Sequence, residues 1–556
     1  MLKSYPRYQR RRVEDLNDLW DFAFFFSKSM DEIDIHQVNC SEKLWVPGAF
    51  DVYPDWLGQR GTGVYRKLIS VEPGRQGLLE FEAVSFACKV FVDGDCLAEH
   101  YCGYSPFEVR LSPSKSRERE VVVLVENRFD FDRIPMHEHH FDFRQYGGII
   151  RPVWLHHLPE HPLENVKVEV LDAAAGHIRV CGGCAAGTRV EARVLEEDLR
   201  LETVADGDGR FRVEGTIAAP RLWSPESPAL YRVRVSSEED DVIHRIGLRH
   251  IESRGKEVLL NGKPIRLWGF NRHEFHPNFG PSTPPAQQLA DIQLLKDCGS
   301  NFVRGSHYQQ SQLFLDFCDE FGLMVWEENL GWGQAGRQVT NERFLAHHRQ
   351  SMEEMVARSY HHPGIIIWGF LNEGPSEEDC FRPVLETTRA YCREQGGNRL
   401  FAYASNRIER DRYFAEVDLI CVNLYPGWYG AEGHPDPLSL IPKDFGKFID
   451  HLERTGLGDK PLLISEIGCE GLFGVRDEYL DFHSEDYQEA YLGAVCREIA
   501  GNPRFLGVCI WHFSDTRTRE HSVGRTRGYN NKGVFDEIRR PKLARNTVRE
   551  IFRSVT

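Results

Sequence analysis

The sequence predicts two β-sandwiches followed by a C-terminal (β/α)8 barrel, a multidomain β and α/β fold. A chain of 556 residues is too long to fold around a single hydrophobic core, so we expect about three domains. Up to about residue 250, short apolar runs are separated by Gly, Pro and Asp, which is typical of β-strands and their turns. Beyond that point apolar strands alternate with amphipathic helices, which indicates an α/β domain.

The predicted domain boundaries follow from these patterns. Residues 1–160 contain short alternating runs such as Tyr65 to Val71 and Glu120 to Glu126, and they predict a β-sandwich. Residues 161–250 have the length and strand spacing of a small immunoglobulin-like β-sandwich and carry no cluster of catalytic residue types. Residues 251–556 are long enough for a TIM barrel of eight βα units.

Eight apolar runs in the third domain supply the expected barrel strands. Between the first two runs, Leu289, Ile292 and Leu295 recur at helical spacing, and Gly299 stands where such a helix would end. The runs are Ile265 to Phe270, Phe302 to Arg304, Met324 to Trp326, Ile365 to Phe370, Phe401 to Ala404, Leu419 to Val422, Leu462 to Ile464 and Val508 to Trp511.

The composition argues against several classes of partner. The formal net charge is -16, whereas nucleic acids and anionic membranes bind clustered Lys and Arg. The apolar runs are too short to cross a bilayer, and the first residues lack the apolar core of a signal peptide. We therefore expect a cytoplasmic protein that acts on a small molecule, without nucleic acid or membrane partners.

The cysteines predict neither a disulfide framework nor a metal site. The chain has 14 of them, mostly inside apolar runs, where reduced core thiols are expected. Cys181 and Cys184 form the only close pair, and no second pair or His stands at ligand spacing, so we predict a glycine turn there. We expect no metal and no cofactor.

The residues that follow the eight runs are the candidates for chemistry, because the active site of such a barrel lies at the C-terminal ends of its strands. They are rich in carboxylates, amides and aromatic rings. In strand order they are His273 and Glu274; Ser306, His307 and Tyr308; Glu327, Glu328 and Asn329; Asn372 and Glu373; Ser405 and Asn406; Asn423 and Tyr425; Glu466; and Trp511 to Asp515.

Two of these carboxylates suit the cleavage of a glycosidic bond. That reaction needs one protonated carboxyl to help the leaving oxygen depart and one ionised carboxylate to attack or to activate water. Glu373 follows strand 4 and Glu466 ends strand 7, so the two face each other across the barrel mouth. This placement permits the ~5 Å separation of a retaining enzyme. A solvated loop carboxylate is the ordinary alternative for either residue taken alone.

Four segments resemble glycoside hydrolase family 2. Ile365 to Glu373 is similar to its acid/base strand, and Leu463 to Gly468 is similar to its nucleophile strand. Gly269 to Glu274 and Asn301 to Tyr308 resemble its strands 1 and 2. The resemblance covers essentially the whole chain, since that family places a jelly-roll sugar-binding sandwich, an immunoglobulin-like domain and a TIM barrel in this order.

The resemblance implies a double displacement with Glu466 as nucleophile and Glu373 as acid/base. It also implies that Asn372 holds the sugar 2-hydroxyl, and it adds His307 to the substrate-binding residues. Glu373 then needs a raised pKa, for which we expect burial beside Trp368 and Trp511 together with repulsion from the charged Glu466.

Two further segments resemble β-glucuronidases of this family and indicate a uronic acid substrate. Tyr529 to Phe535 is similar to the Asn-x-Lys segment that grips the C6 carboxylate, which assigns Asn530 and Lys532 to that role. An ammonium and an amide donor recognise a carboxylate that neutral sugars lack. A surface turn is the alternative for this run. Phe141 to Arg151 is similar to the segment that sends an Asp, here Asp142, towards the hydroxyls of the terminal ring.

Aromatic residues complete the predicted pocket. Tyr425 and Tyr429 follow strand 6, and Trp511 at strand 8 is expected to form a stacking floor. A pocket closed in this way accepts one terminal sugar, which predicts exo action.

Other positions depart from the usual glucuronidase pattern. Strand 3 ends in Glu327 and Glu328, closer to galactosidase-like members of the family, and strand 8 has His512 where glucuronidases usually have Asn. Arg337 places a cation beside the predicted pocket, where it can favour the axial C4 hydroxyl of a galacturonide unless it is a plain surface charge. We predict an exo-acting, retaining β-D-hexuronidase with a slight preference for β-galacturonides and some activity on β-glucuronides.

Three other interpretations stay open. A β-galactosidase of the same family would cleave neutral galactosides, and Lys532 would then be incidental. A carbohydrate-binding protein without catalysis would bind sugars without turnover. A zinc or redox protein is not supported by the cysteine spacing. The aglycone site is expected in the loops Pro277 to Pro285 and Gln334 to Glu342, and the sequence leaves open whether the chain forms a homo-oligomer.

Overall fold

The computed structural model describes residues 2–129, 142–518 and 525–555 of the chain. Phe141, the first residue of the segment expected to reach the active site, lies outside the described residues. The N-terminal strands are β1 (Val13–Asp15), β2 (Leu19–Phe26), β3 (Glu42–Trp45), β4 (Gly48–Ala49), β5 (Gly61–Ser70), β6 (Gly77–Phe81), β7 (Ala87–Val92), β8 (Asp95–His100), β9 (Phe107–Leu111), β10 (Glu118–Glu126), β11 (Gly148–Ile149) and β12 (Val153–His157).

These strands form an antiparallel sandwich. One sheet has the order β1-β12-β6-β9 and the facing sheet has the order β3-β2-β5-β10-β7-β8. Alternate residues point into the space between them, so that Leu79 and Phe81 of β6 pack with Trp20 of β2 and Tyr65 of β5, all fully buried. The predicted N-terminal β-sandwich is confirmed.

The second group of strands is a smaller antiparallel sandwich, with sheets β13-β14-β17 and β16-β15-β18-β19 as expected for an immunoglobulin-like domain. The glycine turn predicted between Cys181 and Cys184 is wrong, because Cys181 and both glycines lie within a strand. Gly182 is needed there because a Cβ would lie 2.7 Å from the ring of Phe211. The strands are β13 (Glu164–Asp172), β14 (His177–Gly183), β15 (Arg189–Val194), β16 (Leu199–Val204), β17 (Arg210–Thr216), β18 (Tyr231–Ser236) and β19 (Asp241–Ile246).

A small antiparallel sheet then closes the N-terminal end of the barrel. It consists of β20 (Ile251–Arg254), β21 (Glu257–Leu260) and β22 (Lys263–Ile265). Its apolar residues share one core with the barrel interior, where Val258 and Leu260 pack with Leu267, Phe302 and Met324. The closed end leaves the opposite end of the barrel for the active site.

The barrel alternates strands and helices along the chain. Its elements are β23 (Leu267–Arg272), α1 (Pro285–Asp297), β24 (Phe302–Gly305), α2 (Gln312–Phe321), β25 (Met324–Glu328), α3 (Gly336–Val339), α4 (Glu342–Ser359), β26 (Ile365–Gly369), α5 (Phe381–Gln395), β27 (Leu400–Ala402), β28 (Ala404–Ser405), β29 (Ile420–Asn423), α6 (Leu440–Arg454), β30 (Leu462–Ile467), α7 (Glu485–Gly501) and β31 (Phe505–Ile510). The pair β32 (Thr516–Arg517) and β33 (Tyr529–Asn530) and the helix α8 (Ala544–Val555) follow.

The barrel strands pair in parallel in the order β27-β26-β25-β24-β23-β31-β30-β29-β28. Tyr403 separates β27 from β28, and these two short strands together make the fifth strand of an eight-stranded barrel. Each of the eight predicted runs contains a barrel strand, so the predicted (β/α)8 barrel is confirmed. Several boundaries differ by a few residues, and at the first strand Ile265 pairs with β21 so that the barrel strand begins at Leu267.

The N-terminal sandwich packs against the mouth of the barrel. The ring of Tyr104 stacks on Tyr308 with centroids 3.9 Å apart. Arg151 donates to the Glu274 carboxylate at 2.6 Å, and both side chains are almost fully buried. These contacts hold the segment that begins at Asp142 beside the C-terminal ends of the barrel strands.

The 14 cysteines all lie in the described ranges and are free thiols, most of them buried. None of the helices in those ranges combines the length and the apolar character needed to cross a bilayer.

Candidate active site

A cavity of about 580 Å³ opens at the C-terminal end of the barrel. Its wall contains both carboxylates that the sequence singled out, together with one carboxylate from the N-terminal sandwich. Described residues that line it include Asp142, Trp332, Glu373, Asn423, Tyr425, Tyr429, Glu466 and Trp511. The structure therefore brings the strand 4 and strand 7 carboxylates to one pocket.

Glu373 lies just beyond β26 in a left-handed backbone conformation with φ of +55°. Its backbone N–H donates to the carbonyl of Ala404 at 2.9 Å, which joins this turn to β28. Its Oε1 accepts a hydrogen bond from Nδ2 of Asn423 at 2.9 Å. Burial raises the pKa of Glu373 while the Asn423 contact opposes that rise. A raised pKa favours the neutral carboxyl, which is the form that can donate a proton.

Glu466 lies in β30 and receives two strong donors. Its Oε1 accepts from a guanidinium N–H of Arg304 at 2.8 Å, and its Oε2 accepts from the hydroxyl of Tyr425 at 2.9 Å. Arg304 is fully buried and also donates to Glu328 and to Oδ1 of Asn372, each at 2.8 Å. These contacts fix the Glu466 carboxylate in one orientation and favour its ionised form.

The two carboxyls influence each other's ionisation. Burial raises the pKa of Glu466 to about 8, with Arg304 opposing the shift and Glu373 adding to it. Because the pKa of Glu373 is also raised, the pair holds a proton near neutral pH. Among the described contacts Glu466 receives donors from Arg304 and Tyr425, whereas Glu373 receives only the amide of Asn423, so hydrogen bonding stabilises the ionised form of Glu466 more than that of Glu373.

Buried polar atoms beside Glu466 point to a ligand that carries hydroxyl groups. Nδ2 of Asn372 and Nε2 of His307 are buried and have no hydrogen-bond partner in the described part of the chain. His307 Nε2 lies 3.9 Å from Oε1 of Glu466, and its ring stacks on Trp511 with centroids 5.1 Å apart. Unpaired buried polar atoms are costly unless a ligand or water satisfies them.

Lys532 is fully buried beside this cavity. Its ammonium lies 5.2 Å from the ring centroid of Tyr429 and 5.5 Å from that of Trp428. It makes no hydrogen bond within the described ranges, although Oε1 of Glu470 is 3.6 Å away. A buried ammonium with unused donors is a site for an anionic ligand group.

Asn530 and Asp142 are joined to each other in this structure. Nδ2 of Asn530 donates to Oδ2 of Asp142 at 2.6 Å. Nε of Arg525 donates to Oδ1 of the same carboxylate at 2.9 Å, and another guanidinium N–H of Arg525 contacts Glu470. Asp142 therefore enters the cavity wall as a paired carboxylate, and it uses one of the two N–H donors of the Asn530 amide.

Family models match most of this chain. The model described as "Glycosyl hydrolases family 2, TIM barrel domain" matches residues 251–556, and the model "Glycosyl hydrolases family 2" matches residues 167–249. The chain belongs to glycoside hydrolase family 2. It is a glycoside hydrolase whose barrel carries the carboxylates of Glu373 and Glu466 at the positions described above.

Relatives of this family 2 hydrolase match it over almost their entire length. The β-glucuronidase of Streptococcus agalactiae is 27% identical, covering 97% of this chain and 96% of its own. Human β-glucuronidase is 28% identical, covering 98% of this chain and 92% of its own. The crystal structure of a family 2 β-galacturonidase from Eisenbergiella tayi bound to galacturonate shares 31% identity with a TM-score of 0.88, covering 100% of this chain and 99% of that one.

One expectation about an individual residue differs from the structure of the hydrolase. Trp368 does not lie beside Glu373, because it points outward from β26 and its indole N–H donates to the carbonyl of Gly396 at 3.0 Å. Adjacent strand residues face opposite sides, so Ile367 enters the barrel and Trp368 packs under the helices. Arg337 is exposed on the short helix α3.

Sequence reasoning missed four charged residues of the site. Arg304 was counted only as the end of a strand, although an Arg pointing into a barrel must find carboxylates. Glu328 stood among the strand-end candidates, but its ion pair with Arg304 was not predicted. Glu470 and Arg525 carried no sequence signal of their own, because their partners lie far away along the chain.

Glu327 gives the family 2 enzyme a pH-dependent stability. Its Oε1 accepts the backbone N–H of Gln310 at 2.9 Å, and burial raises the pKa of Glu327 to about 8. Because the pKa of Glu327 is raised in the folded state, this carboxyl contributes to the free energy of unfolding fully below its ordinary pKa of about 4.5. That contribution is lost as the pH rises through 8. The wild type should lose unfolding free energy between pH 5 and pH 9. We predict that Glu327→Gln, which mimics the neutral carboxyl, loses about 2–4 kcal/mol less than the wild type over the same pH range.

Denaturant unfolding at both pH values measures this difference. The control is Glu353→Gln, at a partly exposed position of α4 where the carboxylate pairs with Arg349, which should alter the pH dependence by less than about 0.5 kcal/mol. An identical pH dependence in the Glu327→Gln variant and the wild type would contradict the assignment.

Proposed function

We propose that this enzyme is an exo-acting, retaining β-D-hexuronidase that releases terminal β-linked uronic acids. The observation that carries the proposal is the buried ammonium of Lys532, whose N–H donors have no partner among the described residues beside a cavity that holds two carboxyls. A neutral sugar offers that ammonium only hydroxyl groups, whereas a uronic acid offers a carboxylate, the charged acceptor that an ammonium binds more strongly.

The relatives support the same substrate class. The names of the curated relatives describe β-glucuronidases, and that of the Eisenbergiella tayi structure describes a β-galacturonidase bound to galacturonate. These substrates share the C6 carboxylate and differ at C4. A hexuronide is therefore the substrate class common to all of them.

Glu466 is proposed as the nucleophile and Glu373 as the acid/base. The Glu466 carboxylate attacks the anomeric carbon while the Glu373 carboxyl gives its proton to the departing glycosidic oxygen. This step forms a glycosyl ester on Glu466 and releases the aglycone. Glu373 then takes a proton from water, the resulting hydroxyl attacks the anomeric carbon, and the ester bond breaks to return Glu466 as a carboxylate. Two inversions leave the β configuration of the released uronic acid unchanged.

The remaining residues hold the sugar. The unused Nδ2 of Asn372 suits the 2-hydroxyl, and Nε2 of His307 suits a second hydroxyl next to Glu466. Tyr425 keeps the nucleophile in place, and Trp511 supplies an apolar face for the ring.

The C6 end of the sugar is proposed to lie between Lys532 and Asn530. Asp142, whose carboxylate is already paired, supplies acceptors for hydroxyls on the same side. Tyr429, whose ring is 5.2 Å from the ammonium of Lys532, covers this end of the pocket. Because this end of the pocket is closed, it admits only a terminal sugar, which supports exo action.

Substitution of the two carboxylates should separate their roles. We predict that Glu466→Ala lowers kcat by at least about 10³-fold, and that added azide restores turnover with the α-glycosyl azide as product. Glu373→Ala should keep hydrolysing substrates with good leaving groups slowly, and azide should give the β-glycosyl azide, because it attacks the intermediate on Glu466. Nuclear magnetic resonance of the products measures the anomeric configuration, and Glu478→Ala, at an exposed position, is the control. The same anomer from both variants would exclude this assignment.

A set of nitrophenyl β-glycosides tests the substrate class. We predict that the wild type cleaves the glucuronide and the galacturonide, and that Lys532→Met lowers kcat/KM for both by about 100-fold because the buried cation is lost. The galactoside completes the set, and Lys263→Met, at an exposed and distant position, is the matched control. Turnover of the galactoside alone, unaffected by Lys532→Met, would make the enzyme a neutral-sugar hydrolase and refute the proposal.

We propose a slight preference for β-galacturonides through Arg337. Arg337→Ala should lower the ratio of galacturonide to glucuronide kcat/KM by about tenfold, since the guanidinium would no longer bind the axial C4 hydroxyl. Arg343→Ala, on the adjacent helix α4 and also exposed, is the control. An unchanged ratio would mean that Arg337 is a surface charge without a role in specificity.

A further inference from the structure

We propose that Glu470 is a positioning residue of the uronate site, a buried counter-anion that holds the Lys532 ammonium in place without using its hydrogen-bond donors. Glu470 lies just beyond β30, four residues after the nucleophile position Glu466, and its side chain is 1% exposed. The inference deepens the proposed hexuronidase function and rests on it.

Three basic side chains surround the Glu470 carboxylate. Its Oε1 accepts a hydrogen bond from Arg525 and lies 3.6 Å from the ammonium of Lys532. Its Oε2 lies 3.1 Å from Nδ1 of His483, a residue near the surface. Glu470 is thus held from both sides, and its carboxylate cannot turn away from Lys532 without breaking these contacts.

The distance to Lys532 decides what Glu470 can do there. A hydrogen bond between an ammonium and a carboxylate measures about 2.7–2.9 Å, and the separation here is 3.6 Å. At this distance the carboxylate attracts the ammonium strongly, because both groups are buried, but it accepts no hydrogen bond. The rings of Trp428 and Tyr429, at 5.5 and 5.2 Å, confine the ammonium without accepting one of its conventional hydrogen bonds. No group in the described part of the chain accepts a hydrogen bond from this ammonium, so its three N–H donors stay available for the substrate carboxylate.

Among the described residues, the charged side chains next to Glu470 balance one another before substrate binds. Lys532 and Arg525 are opposed by Glu470 and Asp142, and Arg525 contacts both carboxylates. If Glu470 loses its charge, Arg525 keeps Asp142 as its partner and Lys532 is left as a buried cation with no anion next to it among the described residues. An isolated buried cation is strongly disfavoured, so the ammonium would move, and the carboxylate site would no longer be formed in advance.

The test compares two substitutions at this position. Glu470→Gln keeps the shape and removes the charge, and it should raise KM for a nitrophenyl β-galacturonide or β-glucuronide about tenfold while kcat changes less than twofold. Glu470→Asp keeps the charge, and its KM should stay within about threefold of the wild-type value. Glu478→Gln, on the exposed part of the same loop, should match the wild type.

Each outcome decides the proposal. A KM increase confined to Glu470→Gln supports it. An unchanged or lower KM for Glu470→Gln overturns it, because the Glu470 carboxylate would then not help substrate binding and could only compete with the substrate carboxylate for the ammonium of Lys532. Equal losses of kcat in the Gln and Asp variants, with a lower melting temperature in both, also overturn it, because Glu470 would then only support the fold near Glu466. Failure of the wild type to cleave either uronide would instead refute the hexuronidase function.

Discussion

The guanidinium of Arg304 is the interaction on which the catalytic end of the barrel depends. It is fully buried and donates to Glu328, Glu466, Asn372 and Asn271. These partners belong to several strands and to the turn after β26, so one cation holds the polar layer at the top of the barrel together. A buried cation is tolerated only with such a complete set of acceptors, and the same contacts orient the carboxylate of Glu466 and the amide of Asn372 beside it.

Burial raises the pKa values of the two carboxyls that line the cavity. The carboxyls of Glu373 and Glu466 both have raised pKa values because they lie in the cavity with little water around them. Unequal hydrogen bonding then distinguishes them, since Glu466 receives Arg304 and Tyr425 while Glu373 receives only the amide of Asn423 among the described contacts. Two chemically identical side chains can take opposite roles when their neighbours differ in this way.

The N-terminal sandwich contributes directly to the cavity. The stacking of Tyr104 on Tyr308 and the buried Arg151–Glu274 pair fix its position on the barrel. That position brings Asp142 to Arg525 and Asn530, which are separated from it by more than three hundred residues along the chain. The charged network around Lys532 is therefore assembled from two domains, and its balance depends on how they dock.

The sequence by itself determined the order of the domains, the eight barrel strands and the position of Glu373 and Glu466 at strand ends. It could do so because hydrophobic periodicity and the turn residues between strands are local properties of the chain. It also singled out Lys532 through a resemblance in a short segment. It could not determine which side of β26 Trp368 faces, that Asn530 is bonded to Asp142, or that Glu470 lies 3.6 Å from Lys532. Those facts depend on strand register and on the docking of distant segments. Only the tertiary structure decides them, because the energy of a buried charge depends on all of its neighbours in space and not on its neighbours in sequence.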